Sequence, residues 1–127
     1  MTATFDLASV DREVFERRRF RRVPATLPLR WSAPLTGHPE WIDADTVNVG
    51  AGGLLVRSPM AGDIEPGTLV CISMGLADRQ VVAIAECCGA RGPEDADGCG
   101  ELVFRFTAMG RGSMRALVHA VVELETA

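Results

Sequence analysis

The sequence predicts a mainly β protein, a small antiparallel barrel or sandwich of six short strands followed by one C-terminal helix. Two observations predict this fold class. Short apolar stretches, several of them alternating, follow one another from Leu27 to Phe106 and are separated by glycine- and proline-containing turns. After Gly112 the apolar spacing becomes that of a helix. A chain of 127 residues is one domain by size and long enough to bury a core.

Turn chemistry bounds each predicted strand. Apolar residues alternate from Leu27 to Trp31, which places Leu27, Leu29 and Trp31 on one face. The glycine-rich residues 50–53 separate the second and third strands, and we expect this bend to use the permissive dihedral angles of glycine. The predicted strands are Leu27–Trp31, Ile42–Val49, Leu54–Ser58, Leu69–Met74, Gln80–Arg91 and Glu101–Phe106.

The two ends of the chain differ from this β-rich middle. At the C-terminus, Met114, Leu117 and Val121 follow helical spacing, with Ser113 as the expected N-cap. We expect this helix to cover an opening or an edge of the sheet. Residues 1–15 carry scattered apolar side chains and predict either a short helix or an arm that orders only on contact. The sequence is therefore divided into an N-terminal arm, 1–15, and a β-rich domain, 16–125.

Arginines are concentrated immediately before the first predicted strand. Residues 17–22, RRRFRR, hold five of the 13 basic side chains, and the chain contains no lysine. Residues 12–30 carry a net charge of about +5 in a chain whose net charge is −4, so the remainder carries about −9. A guanidinium pairs bidentately with phosphate and stacks on flat rings, which favours a compact anionic ligand. The alternative is a solvated charged arm.

Three other classes of function find little support. The sequence has no GxSxG, HExxH or Walker-type motif and no tyrosine, so we predict a protein that is not an enzyme and has no catalytic residues. Basic charge confined to one segment argues against a nucleic-acid surface. The four cysteines, which form no CxxC pair and lie far from both histidines in the sequence, predict reduced thiols and no metal site.

Hydropathy bears on the compartment. No apolar stretch approaches the 18–20 residues or so that cross a bilayer. Residues 1–20 have acids and arginines where a signal peptide has an apolar run. We therefore expect a cytoplasmic protein without membrane insertion.

Two short motifs in the sequence indicate a family resemblance. The segment RRFRR at residues 18–22 precedes the first strand, and NVGAGG at residues 48–53 lies at the bend between the second and third. Together they resemble the RxxxR and [D/N]xSxxG signatures of the PilZ domain. The opening at residues 16–31 and the ending GELVFRF at residues 100–106, followed by a helix, are also similar to that family. The resemblance covers roughly Glu16–Glu123.

The resemblance implies a six-stranded antiparallel PilZ-type β-barrel with a C-terminal helix. It also implies binding of cyclic di-GMP, a ring of two guanosines joined by two phosphates, with no other cofactor. Arg18 and Arg22 would reach the phosphates and guanines, Asn48 would contact a guanine edge, and Gly53 would permit a close turn beside the ligand. An arginine at position 17 is associated in the family with two stacked ligand molecules.

One departure from the family pattern concerns Gly50, which replaces the motif serine. The missing hydroxyl bond is worth about 0.5–1.5 kcal/mol, whereas an arginine–phosphate contact is worth roughly 1.5–3 kcal/mol. We therefore expect a receptor with a retained site that signals through its arm to an unidentified protein effector, as a monomer or weak homodimer. The alternative is a PilZ-like adaptor for pilus or motility machinery that does not bind nucleotide, and Gly50 supports it.

Overall fold

A computed structural model describes residues 22–76 and 79–126 of the chain. The predictions for residues 1–15, Arg17 and Arg18 lie outside the described residues. The described strands are β1 Val23–Pro24, β2 Pro28–Ala33, β3 His38–Val49, β4 Gly53–Pro59, β5 Leu69–Leu76, β6 Arg79–Arg91 and β7 Cys99–Met109, and the helix is α1 Arg111–Thr126.

Six of these strands close into an antiparallel barrel. Their order around the barrel is β3-β2-β5-β6-β7-β4, and β4 pairs back with β3 to complete the circle. Closure leaves no free edge on these strands and distinguishes the barrel from the sandwich that the sequence also allowed. The predicted six-stranded antiparallel barrel with a C-terminal helix is confirmed.

The strand β1 was missed by the sequence analysis. It has two residues, one of them Pro24, and it pairs with β3 beyond the end of β2 along the same edge. Two residues carry no periodicity, and proline argues against a central strand because it has no N–H to donate. This short strand forms here because it pairs with β3.

Alternating residues of the six strands fill the interior. The rings of Trp31 and Phe104, both completely buried, meet edge to face with centroids 6.0 Å apart. The indole N–H of Trp31 donates a hydrogen bond of 2.9 Å to the hydroxyl of Ser58, which is also buried. A buried Trp N–H needs such a partner, so this bond allows the ring to occupy the centre of the barrel.

The helix α1 packs mainly against β6, with further contacts to β5 and β1. Leu117 and Val121 are its buried side chains, in agreement with the predicted helical spacing. The expectation that Ser113 caps the helix is wrong. The helix begins at Arg111, and the Ser113 hydroxyl accepts a hydrogen bond of 3.1 Å from the backbone N–H of Val82 on β6. Within the described part of the chain, no helix has the length and apolar character needed to span a bilayer.

Candidate ligand-binding site

Pairing of β1 with β3 brings the end of the arginine motif to the glycine-rich motif. Val23 lies opposite Val49, and Pro24 lies opposite Asn48. Arg22 directly precedes this pairing, so its backbone lies at the Gly50 end of β3, and the residue is exposed. The structure therefore places the Arg22 backbone near Gly50, and two residues from Pro24, the partner of Asn48, although these motifs are far apart in the sequence.

Thr46 holds the connection between β1 and β2 against β3. Its hydroxyl donates a hydrogen bond of 2.5 Å to the carbonyl of Ala25 and accepts one of 2.8 Å from the N–H of Leu27. Its own backbone N–H donates to the Leu27 carbonyl at 2.9 Å. No sequence motif pointed to Thr46. The sequence did contain one signal for it. Thr46 is a hydroxyl residue in line with the inward-facing positions of β3, where Ile42 and Ala44 are apolar.

A β-bulge next to Thr46 sets the direction of Asn48. The register of β3 against β4 shifts between Thr46 and Asn48, so Val47 is an extra residue. Val49 then points into the core, where it is fully buried, and its neighbour Asn48 faces the outside of the barrel. The bulge thus places the Asn48 side chain on the opposite face of β3 from the buried Val49.

The side chain of Asn48 has an unmet hydrogen-bonding requirement. Its Oδ1 atom is buried, yet it accepts no hydrogen bond from any residue that the structure describes. Leaving a buried polar atom without a partner costs about 1–3 kcal/mol, and such atoms are uncommon in folded proteins. A donor brought from outside the described barrel would remove this cost.

The bend at residues 50–53 is a tight hairpin turn with Ala51 and Gly52 at its tip. The Gly50 N–H donates to the Gly53 carbonyl at 2.9 Å, and the Gly53 N–H donates back to the Gly50 carbonyl at 3.4 Å. None of the glycines in this bend has a positive φ angle. The expectation that the bend uses the special dihedral angles of glycine is therefore wrong. The glycines with positive φ are Gly37, Gly67, Gly89, Gly92 and Gly98.

The neighbouring strand leaves no room for a side chain at Gly53. This residue lies opposite Arg105 where β4 pairs with β7, and a Cβ atom at this position would overlap the carbonyl oxygen of Phe104. The Phe106 N–H also donates to the Gly52 carbonyl at 2.9 Å. Close approach of two strands, and not a special backbone angle, therefore excludes a side chain here.

Arg105 is a basic residue that the sequence analysis did not single out. It forms an ion pair with Glu86, its partner on β6, and both side chains are partly exposed. The hydrogen bond from this guanidinium to Glu86 raises the pKa of Arg105 above its ordinary value. The alternation that sends Phe104 and Phe106 inward could have placed Arg105 on the outer face.

The cysteines give no indication of a metal centre. All four are free thiols, and burial raises the pKa of the Cys87 thiol, so it stays protonated at neutral pH. In the described ranges, no group of three or more His, Cys, Asp or Glu side chains is arranged to hold a metal ion.

Two features define a class of small binding domain. One is a closed six-stranded barrel, and the other is an arginine, Arg22, that precedes a strand paired beside Asn48 and a glycine-rich turn. The profile of the PilZ domain family matches residues 16–123. The chain belongs to the PilZ domain family, a fold known for cyclic di-GMP receptors and adaptors.

Solved structures support the same fold. The Bacillus subtilis inhibitor of motility MotI/DgrA superposes with a TM-score of 0.71 at 18% identity, covering 87% of this chain and 52% of that one. The PilZ domain of CeSA from a cellulose-synthesizing bacterium gives 0.61 at 21% identity, with coverages of 83% and 98%. The PilZ domain of YcgR from Escherichia coli, solved with c-di-GMP, gives 0.62 at 20% identity, with coverages of 87% and 92%.

The first of these structures is the longer protein, and this chain spans about half of its length. No curated protein sequence is a significant match to the chain.

Proposed function

We propose that this protein is a bacterial receptor for cyclic di-GMP that acts in the cytoplasm and signals to a protein effector through its N-terminal arm. The observation that carries the proposal is the juxtaposition of Arg22 with Asn48, whose buried Oδ1 lacks a donor among the described residues. Membership of the PilZ family and the fold shared with a c-di-GMP-bound domain add support.

Each proposed contact follows from the chemistry of the ligand. The guanidinium of Arg22 would donate bidentate hydrogen bonds to a ring phosphate, and Arg17 and Arg18 would supply further cationic donors from the segment between the arm and β1. Asn48 carries both an acceptor and donors, which suits the guanine edge because that edge presents N–H groups and a carbonyl oxygen. A guanine N–H on Oδ1 would supply the missing hydrogen bond.

The output of such a receptor is a change of surface. Arg22 directly precedes β1, and the motif arginines before it follow the arm in the sequence, so ligand contact at these arginines would order the arm over the barrel. The effector would recognise the ordered arm. We propose a monomer or weak homodimer as the signalling form.

Titration calorimetry with cyclic di-GMP tests this function directly. We expect a dissociation constant of micromolar order or tighter, which corresponds to about −8 kcal/mol or better. Cyclic di-AMP is the matched control ligand, because it has the same two ring phosphates and a different base edge, and we expect it to bind at least tenfold more weakly. Folded protein that gives no heat with millimolar cyclic di-GMP would contradict the proposal.

An adaptor that binds no nucleotide is the second candidate, and two observations favour it. Gly50 stands where the family motif has serine, so one ligand contact is absent. The outer face of β5 and β6 also exposes Leu69, Val82 and Ile84, and apolar side chains clustered on a surface are typical of protein contacts. Absence of nucleotide binding in the calorimetry, together with a stable fold, would establish this alternative over the receptor.

A further inference from the structure

The outer face of the barrel continues from the proposed site onto β7. Across this face, Asn48 lies opposite Leu55, and Leu55 lies opposite Val103. Arg105 is two residues beyond Val103 and therefore shares its face, directly opposite Gly53. With neighbouring strands about 4.8 Å apart, Arg105 is two strands from Asn48 and one strand from the hairpin turn.

Gly53 leaves room for a long neighbour on this face. It contributes no side chain between the turn and Arg105, and a Cβ atom in its place would overlap the Phe104 carbonyl oxygen. The Arg105 side chain itself is 58% exposed. A guanidinium on a flexible stem at this position can extend toward a ligand that lies over the turn at residues 50–53.

Glu86 on β6 pairs with Arg105 on the side of β7 away from Gly53. The ion pair uses Nη2 of Arg105, and a guanidinium has further N–H donors for a second anionic partner. The pair is solvent-exposed, and exposed pairs of this kind contribute little to stability. An incoming phosphate can therefore compete with the Glu86 carboxylate at small cost to the fold.

We propose that Arg105 is a further ligand-binding residue that contacts a phosphate of cyclic di-GMP, and that Glu86 positions it and competes with the ligand for it. This inference rests on the proposed function. It extends the site from the arginine motif and the turn to β7, outside both family signatures.

The chain offers a matched control in a second arginine–carboxylate pair. Arg57 on β4 pairs with Asp95, and its side chain is 47% exposed, close to that of Arg105. Arg57 also faces outward, but it is four residues from Gly53 along β4, about 13 Å at the usual rise of a strand. Removing either arginine changes the net charge equally, so a difference between them reports position.

Calorimetry with cyclic di-GMP on the full chain and four variants tests the inference. We expect Arg105→Ala to weaken binding about tenfold or more, and Arg57→Ala to weaken it less than about twofold. Glu86→Gln removes the competing carboxylate and should tighten binding about two- to fivefold, whereas Asp95→Asn should change it less than about twofold. Melting temperatures of all variants establish that each is folded.

The outcomes separate this inference from the function on which it rests. Wild-type protein that binds, with Arg105→Ala binding equally well, overturns the role of Arg105 and leaves the receptor intact. Equal losses in the Arg105 and Arg57 variants also overturn it, because the general electrostatic field would then explain both. If Arg105→Ala melts lower, Arg105→Lys keeps the charge and stem, and we still expect weaker binding because lysine lacks the bidentate geometry. Wild-type protein that gives no binding overturns the receptor and this inference together.

Discussion

Val23 and Val49 are partners in the antiparallel pairing of β1 with β3, and this pair aligns the end of the arginine motif with the turn at residues 50–53. The Thr46 side chain bonds on both sides of the connection that follows β1. The position of the Arg22 backbone is therefore set by the strand pairing that it directly precedes.

Loss of Arg22 should weaken ligand binding strongly. A hydrogen bond to a charged partner contributes about 1.5–3 kcal/mol, so we expect Arg22→Ala to raise the dissociation constant for cyclic di-GMP about ten- to 150-fold. Arg18→Ala should behave similarly. Arg79→Ala and Arg115→Ala are the controls, since they remove the same charge from β6 and α1, outside the β1–β3 pairing. Equal weakening by all four substitutions in calorimetry would show that the ligand responds only to net charge.

Substitution of Asn48 should separate binding from stability. Asn48→Ala removes both proposed base contacts, and we expect at least about fivefold weaker binding. It also removes the buried Oδ1 atom that has no donor among the described residues, so the melting temperature should stay the same or rise. Asn48→Asp keeps an acceptor that the family motif allows and should retain measurable binding. A lower melting temperature with unchanged affinity for the alanine variant would identify Asn48 as a structural residue.

Gly50→Ser tests whether the proposed site lacks one hydroxyl contact that the motif serine would supply. If the turn matches the family geometry, Gly50→Ser adds one hydroxyl contact and should tighten binding about two- to tenfold. The φ of Gly50 is not positive, so a side chain there causes no left-handed strain, and the less flexible unfolded chain should keep or slightly raise stability. Gly50→Ala is the control for the added Cβ atom. Weaker binding and a lower melting temperature in both variants would refute the alignment of Gly50 with the motif serine.

Gly53→Ala should lower the free energy of unfolding, and this effect does not depend on ligand binding. The new Cβ atom would overlap the Phe104 carbonyl, and forced overpacking of this kind costs about 1–3 kcal/mol. Urea denaturation of the ligand-free protein measures the loss. Gly112→Ala is the control, because Gly112 lies in α1 with open space around it, and alanine there should stabilise the helix or leave it unchanged. Equal stability of the two variants would contradict the close approach of β4 and β7.

Local sequence patterns were sufficient for most of the barrel. Alternation along β2 placed Leu29 and Trp31 on one face, and both are buried in the barrel. The glycine-rich residues 50–53 were recognised as the bend between two strands, which are β3 and β4. The strand β1 was missed because a two-residue segment with a proline has no period, and its pairing partner is distant in the sequence. Ser113 was assigned as a cap on local grounds, but its hydroxyl bonds to β6.

The sequence by itself determined the fold class and the family, and it named the motif residues of the candidate site, because alternation, turn residues and the two motifs are properties of neighbouring positions. Only the tertiary structure decided which of those residues meet. Register between distant strands placed Arg22 beside Gly50 and Arg105 opposite Gly53, and the bulge at Val47 turned Asn48 outward. Such positions depend on pairing energies summed over the whole closed barrel, and a local pattern does not contain them.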